Sequence, residues 1–416
     1  MLPKSATSPV TAPSPRIPGL DGLRAIAILA VIVCHVNISF PTLFPSSRVN
    51  HLITAISSAG WVGVDLFFVL SGFLITGILY SAKESENFYR NFYVRRALRI
   101  FPLFYAYTVA LIVVLPMVLS GMKNSTLAFW LHSPWLDRVS VFAYFYNFRA
   151  AFIAHHLPLV NHFWSLAVEE HFYLVWPFVV LRSPRPILMR LCLAGGCVSL
   201  LLRLALMNSP SGLFAAYLLT PCRLDGLLFG SWLALASLDD ATWKQVGRFA
   251  PSVVVIATAG VMAIAIHRGH FYDIIPPGAP HDSRPIVTAG ISLVSILFAA
   301  ALAIVVRGGG LTRWLELPLL RRIGLYSYGM YVYHECVILL VRRSNLLTGM
   351  SEARSKLIVL IAATAITFTV AAASYHAFER PFLKWKSRYE TRPLGQVAAA
   401  QANGQPTSGS LRLDQL

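Results

Sequence analysis

The stretch GLDGLRAIAILAVIVCHVNISF, from Gly19 to Phe40, decides the fold class of this 416-residue chain. It is long and apolar enough to cross a bilayer, which takes about 20 apolar residues, yet it contains Arg24 and His35. Because eleven helical residues make about three turns and a rise of roughly 16 Å, both side chains should lie on one face, near opposite membrane surfaces. A snorkelling arginine and a packing histidine are the alternatives, but the shared face favours a functional pair.

The composition is that of a polytopic membrane protein. Hydrophobic residues make up 56% of the chain and charged residues 13%, whereas soluble domains contain about 25% charged residues. The formal net charge is +17, but the basic residues lie between apolar segments. They therefore indicate membrane topology rather than nucleic-acid binding, and no nucleic-acid partner is expected.

Apolar segments predict an all-α bundle of about ten transmembrane helices. They cover residues 20–40, 60–80, 100–119, 163–181, 187–207, 215–236, 249–267, 285–306, 323–341 and 356–378. The basic segments between them favour a topology with both termini in the cytoplasm. Counting residues 139–153 as another span would place the later basic loops outside. We therefore expect that segment to be interfacial or re-entrant on the outer side.

Three regions follow from this pattern. Residues 1–18, rich in Ser, Pro and Thr, are expected to be a disordered cytoplasmic N-terminus, residues 19–383 the transmembrane domain, and residues 384–416 a largely flexible cytoplasmic tail. All five cysteines lie in apolar stretches and none has metal-ligand spacing. The sequence therefore predicts neither a disulfide framework nor a metal site.

Ionisable residues recur in the outer halves of the predicted spans. They are His35, Asp65, Glu169, Glu170, His171, Arg223, Asp225, His334 and Glu335. Because such groups are rare in apolar helices, a layer of them at one depth predicts a polar cavity. Asp65 could instead be a helix-start residue near the interface. For Arg223 and Asp225, a structural ion pair that holds the bundle together is the favoured interpretation.

Three arginines, Arg95, Arg96 and Arg99, lie in the segment NFYVRRALRIFPLFYAY at the predicted cytoplasmic surface. Arg96 and Arg99 are three residues apart and project from one face of a helix. Grouped guanidinium groups suit phosphate binding. Anchoring of the membrane topology is an equally good explanation for these charges.

Together these stretches resemble the acyltransferase-3 family of integral-membrane O-acyltransferases. The segments that resemble the family are Arg24 and His35 with ten residues between them, GVDLFFVLSGFLI at 63–75, RRALRIFP at 95–102, FWSLAVEEHFYLVWP at 163–177, RLDGLLFG at 223–230, YSYGMYVYH at 326–334 and ERPF at 379–382. His171 stands where the family often has glutamine.

The resemblance implies a bundle of the bacterial inner membrane that transfers an acyl group, usually acetyl, from acyl-CoA to a hydroxyl of a carbohydrate, glycolipid or other small molecule. Acyl-CoA is then a co-substrate, and no bound cofactor is expected. The resemblance also implies that His35 is catalytic, that Arg24 is essential, and that Arg96 and Arg99 are the family's arginine pair.

The mechanism expected from the residues has two parts. Arg95, Arg96 and Arg99 would bind the nucleotide of acyl-CoA at the cytoplasmic mouth. His35 would act as general base on the acceptor hydroxyl, oriented by Asp65 or by one of the span-four glutamates, Glu169 and Glu170; an acyl-histidine intermediate is a variant. Candidate substrate-binding residues are Arg223, Asp225, His334 and Glu335.

A glycan or lipid transporter is the main alternative function, because transport pathways also use intramembrane charges. The absence of an internal repeat and of paired broken helices argues against it. A non-catalytic scaffold would leave the ionisable residues unexplained.

Overall fold

A computed structural model describes residues 17–40, 56–118, 129–130, 133–152, 157–209, 211–268, 284–344 and 347–389. Within these ranges the chain is helical and contains no β-strand. Eight helical segments are long and apolar enough to cross a membrane. They are Leu20–Ser39, Ile56–Ser81, Phe88–Val118, Arg185–Leu206, Gly212–Ala236, Asp240–His267, Ile286–Val306 and Arg354–Lys386. The prediction of a polytopic all-α membrane protein is confirmed.

The other two predicted spans are also helices, Trp164–Arg182 and Ser327–Arg342. The first contains Glu169 and Glu170, and the second has only 16 residues. Both contribute side chains to the polar interior described below. The first differs from the eight apolar segments in its charges and the second in its length, and charged groups inside a membrane bundle usually serve a function.

We number the helices in chain order. They are α1 (Leu20–Ser39), α2 (Val62–Ser81), α3 (Phe88–Val109), α4 (Trp135–Phe142), α5 (Tyr146–Phe152), α6 (Trp164–Arg182), α7 (Arg185–Leu206), α8 (Gly212–Leu218), α9 (Thr220–Ala236), α10 (Asp240–Arg268), α11 (Ile291–Val306), α12 (Gly310–Leu315), α13 (Pro318–Leu325), α14 (Ser327–Arg342), α15 (Glu352–Ser374) and α16 (Arg380–Lys386). Short 3-10 or π segments precede α2, α6 and α11, and π segments continue α3 and α15.

Residues 139–152, the described part of the segment 139–153, do not form a span. They fall on α4 and α5, which have 8 and 7 residues, with a break at Tyr144, whose φ is 56°. Neither helix approaches the roughly 20 residues that a bilayer requires. The side of the membrane on which they lie stays a prediction. The expected disordered tails fall mostly outside the described residues.

Small residues let α2 approach α9 closely. Gly72 lies against the backbone carbonyl of Leu227, and Gly230 lies against that of Val69, with no room for a Cβ at either position. Gly60 and Gly63 lie in the same way against Ala30 and Ala27 of α1. Such contacts are typical of membrane bundles, where backbone packing replaces the hydrophobic effect as the force between helices.

We expect Gly72→Ala to destabilise the protein, because its Cβ would meet the Leu227 backbone and overpacking costs about 1–3 kcal/mol. Thermal unfolding of purified protein in detergent should show a lower midpoint. Gly310→Ala is the matched control, since no heavy atom lies within 4 Å of a Cβ built there. Equal midpoints for the two variants would contradict the close α2–α9 contact.

Candidate active site

A cavity of about 370 Å³ lies among α1, α2, α3, α6 and α14. Its polar lining residues are Asp21, Arg24, Ser71, Arg96, Arg99, Ser165, Glu169, Glu170, Tyr173, Ser327, Tyr328 and Tyr331. Arg96 and Arg99 thus share one space with Arg24 and with both glutamates. The volume is within the usual range for small-molecule sites.

One side of this cavity, which we call the arginine end, carries Arg24, Arg96 and Arg99. Arg24 donates a hydrogen bond to Asp21 at 2.9 Å. The Arg96 guanidinium lies 5.8 Å from the centre of the Tyr173 ring. Within the described residues no carboxylate forms an ion pair with Arg96 or Arg99, so the arginine end has positive charge to offer an anionic ligand. Arg95 lines a small adjacent cleft rather than this cavity.

Glu169 is held in a hydrogen-bonded group at the cavity wall. The Ser71 hydroxyl donates to its Oε1 at 2.8 Å, and the Tyr173 hydroxyl donates to its Oε2 at 3.2 Å. Glu170 lines the same cavity. His171 points elsewhere, since its Nδ1 lies 2.7 Å from the Thr220 hydroxyl.

A second group, which we call the histidine cluster, consists of His35, His162, His334 and Glu335. The Nε2 of His35 lies 3.4 Å from Glu335 Oε1, and the Nδ1 of His162 lies 3.2 Å from Glu335 Oε2. The His334 ring centre is 4.7 Å from that of His35 and 4.6 Å from that of His162. The far end of α1, the turn before α6 and the middle of α14 therefore converge on one carboxylate.

The geometry of His35 leaves one ring nitrogen available for chemistry. Its Nδ1 lies 2.9 Å from the carbonyl oxygen of Val31, and a carbonyl only accepts, so the proton belongs on Nδ1 in the neutral ring. The Nε2 lone pair then faces Glu335. The side chains of His35 and Glu335 are 23% and 15% exposed, whereas His162 and His334 are buried. An accessible imidazole beside a carboxylate can serve as a general base.

Tyr331 and Ser165 separate the cavity from the histidine cluster. The Tyr331 hydroxyl donates to the carbonyl of His162 at 2.8 Å and lies 2.5 Å from the Ser165 hydroxyl. The Tyr331 ring centre is 5.2 Å from that of His162 and 5.6 Å from that of His334. Both residues line the cavity, so its wall is a single side-chain layer away from the imidazoles.

The prediction of a single ionisable layer is wrong. Gly60 and Gly63 of the α2 segment contact Ala30 and Ala27, so the helices run antiparallel and Asp65 lies near the level of residue 25. His35 is about ten residues, or roughly 15 Å, farther along α1. Glu169 follows His162 by seven residues, which is about 10 Å of helix. The carboxylate beside His35 is Glu335, not Asp65, Glu169 or Glu170.

Asp65, Arg223 and Asp225 form ion pairs in the bundle core. Arg223 Nη2 lies 2.8 Å from Asp65 Oδ1, and Arg203 Nη2 lies 2.7 Å from Asp225 Oδ2. All four residues are fully buried, and none of them lines the cavity. The structure thus departs from the expected substrate-binding role for Arg223 and Asp225, and also from their pairing with each other.

Sequence reasoning missed Arg203 and His162. Arg203 is a lone arginine in the apolar run SLLLRLAL, and a charge in such a run itself indicates a partner inside the bundle. His162 directly precedes the FWSLAVEEH segment. Its position at the start of a span is a weak signal, because only the packing of α14 brings Glu335 to it.

We expect Asp65→Asn to lower stability strongly, because it leaves the Arg223 charge buried without its partner, which costs about 3–5 kcal/mol. Thermal unfolding and yield in membranes would measure the loss. The double change Asp65→Asn, Arg223→Met removes the stranded charge as well. It should recover part of the stability, and a double variant worse than the sum of the single changes would argue against this pair.

A family model described as an acyltransferase domain, Acyl_transf_3, matches residues 17–376. The peptidoglycan O-acetyltransferase OatA of Listeria monocytogenes is 29% identical over 383 residues, which are 88% of this chain and 56% of that protein. The O-acetyltransferase OatA of Staphylococcus aureus is 28% identical over 391 residues, 89% of this chain and 58% of that protein.

The putative peptidoglycan O-acetyltransferase YrhL of Bacillus subtilis is 30% identical over 387 residues, 88% of this chain and 54% of that protein. The chain thus spans just over half the length of these curated relatives. No solved structure matches it.

Proposed function

Because the chain belongs to the Acyl_transf_3 acyltransferase family, we propose that it is an O-acetyltransferase that moves the acyl group of acyl-CoA to a hydroxyl of a carbohydrate. The protein is a multi-pass protein of the bacterial plasma membrane. The names of the relatives, two of which mention peptidoglycan, support a cell-wall glycan as acceptor. The observation that carries the proposal is that one bundle holds an arginine-lined cavity and an accessible imidazole–carboxylate pair near opposite ends of α1.

The donor enters this mechanism at the arginine end. Arg24, Arg96 and Arg99 bind the phosphates of CoA, since guanidinium groups match phosphate geometry. The cavity continues past Glu169 to Ser165 and Tyr331, so it offers the pantetheine arm a route toward the histidine cluster. Movement of the Tyr331–Ser165 layer then admits the thioester.

The transfer step uses His35 and Glu335. The Nε2 of His35 removes the proton of the acceptor hydroxyl as that oxygen attacks the thioester carbonyl. The carbon–sulfur bond breaks, the CoA sulfur takes the proton from the imidazolium, and the acyl ester remains on the acceptor. Glu335, 3.4 Å from that nitrogen, stabilises the imidazolium while it exists. It thus fills the orienting role that the sequence suggested for Asp65.

The direct test is an assay of purified protein in lipid vesicles with labelled acetyl-CoA and peptidoglycan fragments. We expect label in the acceptor and release of free CoA in equal amounts. Movement of the glycan across the membrane without consumption of acetyl-CoA would instead support a transporter.

His35→Ala should lower turnover by about a hundredfold to ten-thousandfold, the usual cost of losing a general base. Glu335→Gln keeps the shape of the side chain but removes its charge, so we expect a smaller loss. His171→Gln is the control, because its ring contacts Thr220 and lies away from the histidine cluster, and its rate should stay near wild type. Normal turnover by well-folded His35→Ala protein would exclude the assigned base.

The double change Arg96→Gln, Arg99→Gln should raise the KM for acyl-CoA by about tenfold or more, since each charge-assisted contact is worth about 1.5–3 kcal/mol where it is partly buried. Saturating donor should restore much of kcat, because uniform binding affects KM alone. Arg182→Gln is the control, an exposed arginine that does not line the cavity. An unchanged donor KM in the double variant would leave these arginines as topology signals only.

A further inference from the structure

The histidine cluster has the donor atoms of a transition-metal site. His35, His334 and Glu335 each offer one ligand atom, and the three atoms lie within 4.8 Å of one another. His162 adds a third imidazole, with its Nδ1 3.2 Å from Glu335 Oε2. Imidazole nitrogens with one carboxylate suit Zn²⁺ and its neighbours Co²⁺, Ni²⁺ and Cu²⁺, whereas Mg²⁺ and Ca²⁺ prefer oxygen ligands.

The two helix-borne imidazoles are oriented as metal ligands are. The Nδ1 of His35 lies 2.9 Å from the Val31 carbonyl, and the Nδ1 of His334 lies 2.7 Å from the Tyr331 carbonyl. Because a carbonyl only accepts, each Nδ1 carries the hydrogen and each Nε2 keeps its lone pair. Metal-binding histidines are commonly held in this way. The Nε2 of His334 is also buried and has no hydrogen-bond partner in the described part of the chain.

The charges in the cluster require a positive centre. The His35 Nε2 lone pair meets the Glu335 carboxylate at 3.4 Å, and two acceptors at that distance repel each other. Within the described residues, no arginine or lysine pairs with Glu335. A proton between nitrogen and oxygen satisfies the pair, and so does a metal cation. The proton and the metal cation would both bind to the Nε2 lone pair of His35.

We propose that the cluster binds one divalent transition cation, such as Zn²⁺, through Nε2 of His35, Nε2 of His334 and the Glu335 carboxylate, with His162 as fourth ligand. The bound cation inhibits acyl transfer reversibly, because it occupies the lone pair that His35 uses as a base; this second part rests on the proposed function. Zn–N bonds of about 2.0–2.1 Å require the side chains to close in by about an ångström. The cysteines, the usual sequence signal for zinc, take no part.

Metal binding is measured first, on the full chain in lipid nanodiscs after removal of metal with a chelator. Titration calorimetry with Zn²⁺ should show one ion per chain, and Co²⁺ should give the visible absorption of a tetrahedral complex. His334→Phe, which keeps an aromatic ring but removes the ligand, should weaken binding by about tenfold or more, and His171→Gln should not.

Thermal unfolding checks that His334→Phe is folded, and His162→Gln replaces it if it is not. Absence of stoichiometric binding by the wild type, or unchanged binding by the folded cluster variant, overturns the site.

Inhibition is measured next, as the acetyl-transfer rate during Zn²⁺ titration. We expect a loss that follows the binding curve, is reversed by chelator, and weakens as pH falls, because protons compete with metals for imidazole. Binding without inhibition overturns the inhibitory role. A transfer rate that requires Zn²⁺ also overturns the inhibitory role, because the metal would then take part in the reaction.

No transfer by the wild type, either metal-free or at any Zn²⁺ concentration, would instead count against the proposed function, while the calorimetry would still decide the metal site. The two failures can therefore be told apart.

Discussion

Asp65 and Arg223 are fully buried and lie 2.8 Å apart. If either side chain moved away, the other would remain as an unpaired charge in apolar surroundings. This pair joins α2 to α9 about two helical turns, or roughly 10 Å, from the place where Gly72 and Gly230 bring the two backbones together. A sliding of α2 by one residue would break the pair and drive a side chain into the α9 backbone. The register of α2 is therefore set, and with it the position of Ser71 on the cavity wall.

A second pair, Arg203 with Asp225, extends the same constraint to α7 and, through Ser292, to α11. These four charged side chains are fully buried and none of them lines the cavity, so they hold together the helices around it. Such support matters for the proposed chemistry, because a general base must keep its place within a fraction of an ångström. The ion-paired core and the reactive groups are thus separate parts of one bundle.

In the proposed mechanism, helix α1 sets the distance between donor recognition and chemistry. Arg24 belongs to the arginine end and His35 to the histidine cluster, and their eleven-residue separation is about 16 Å. The layer formed by Tyr331 and Ser165 lies between the cavity and the imidazoles. A long flexible donor arm could cross such a distance, while the phosphates stay at the arginines. The acceptor would meet only the partly exposed His35 and Glu335.

The sequence by itself determined the class of fold, the positions of the helices, the placement of Arg24 and His35 on one helix, and the grouping of Arg96 with Arg99. These depend on apolar composition and on helical spacing, which act between residues that are near in the chain. Only the tertiary structure decided which charges meet: Asp65 with Arg223, Arg203 with Asp225, and His35 with Glu335, which is 300 positions away. Each of these contacts depends on the register of two packed helices, and a difference of one residue in register turns a side chain by about 100°.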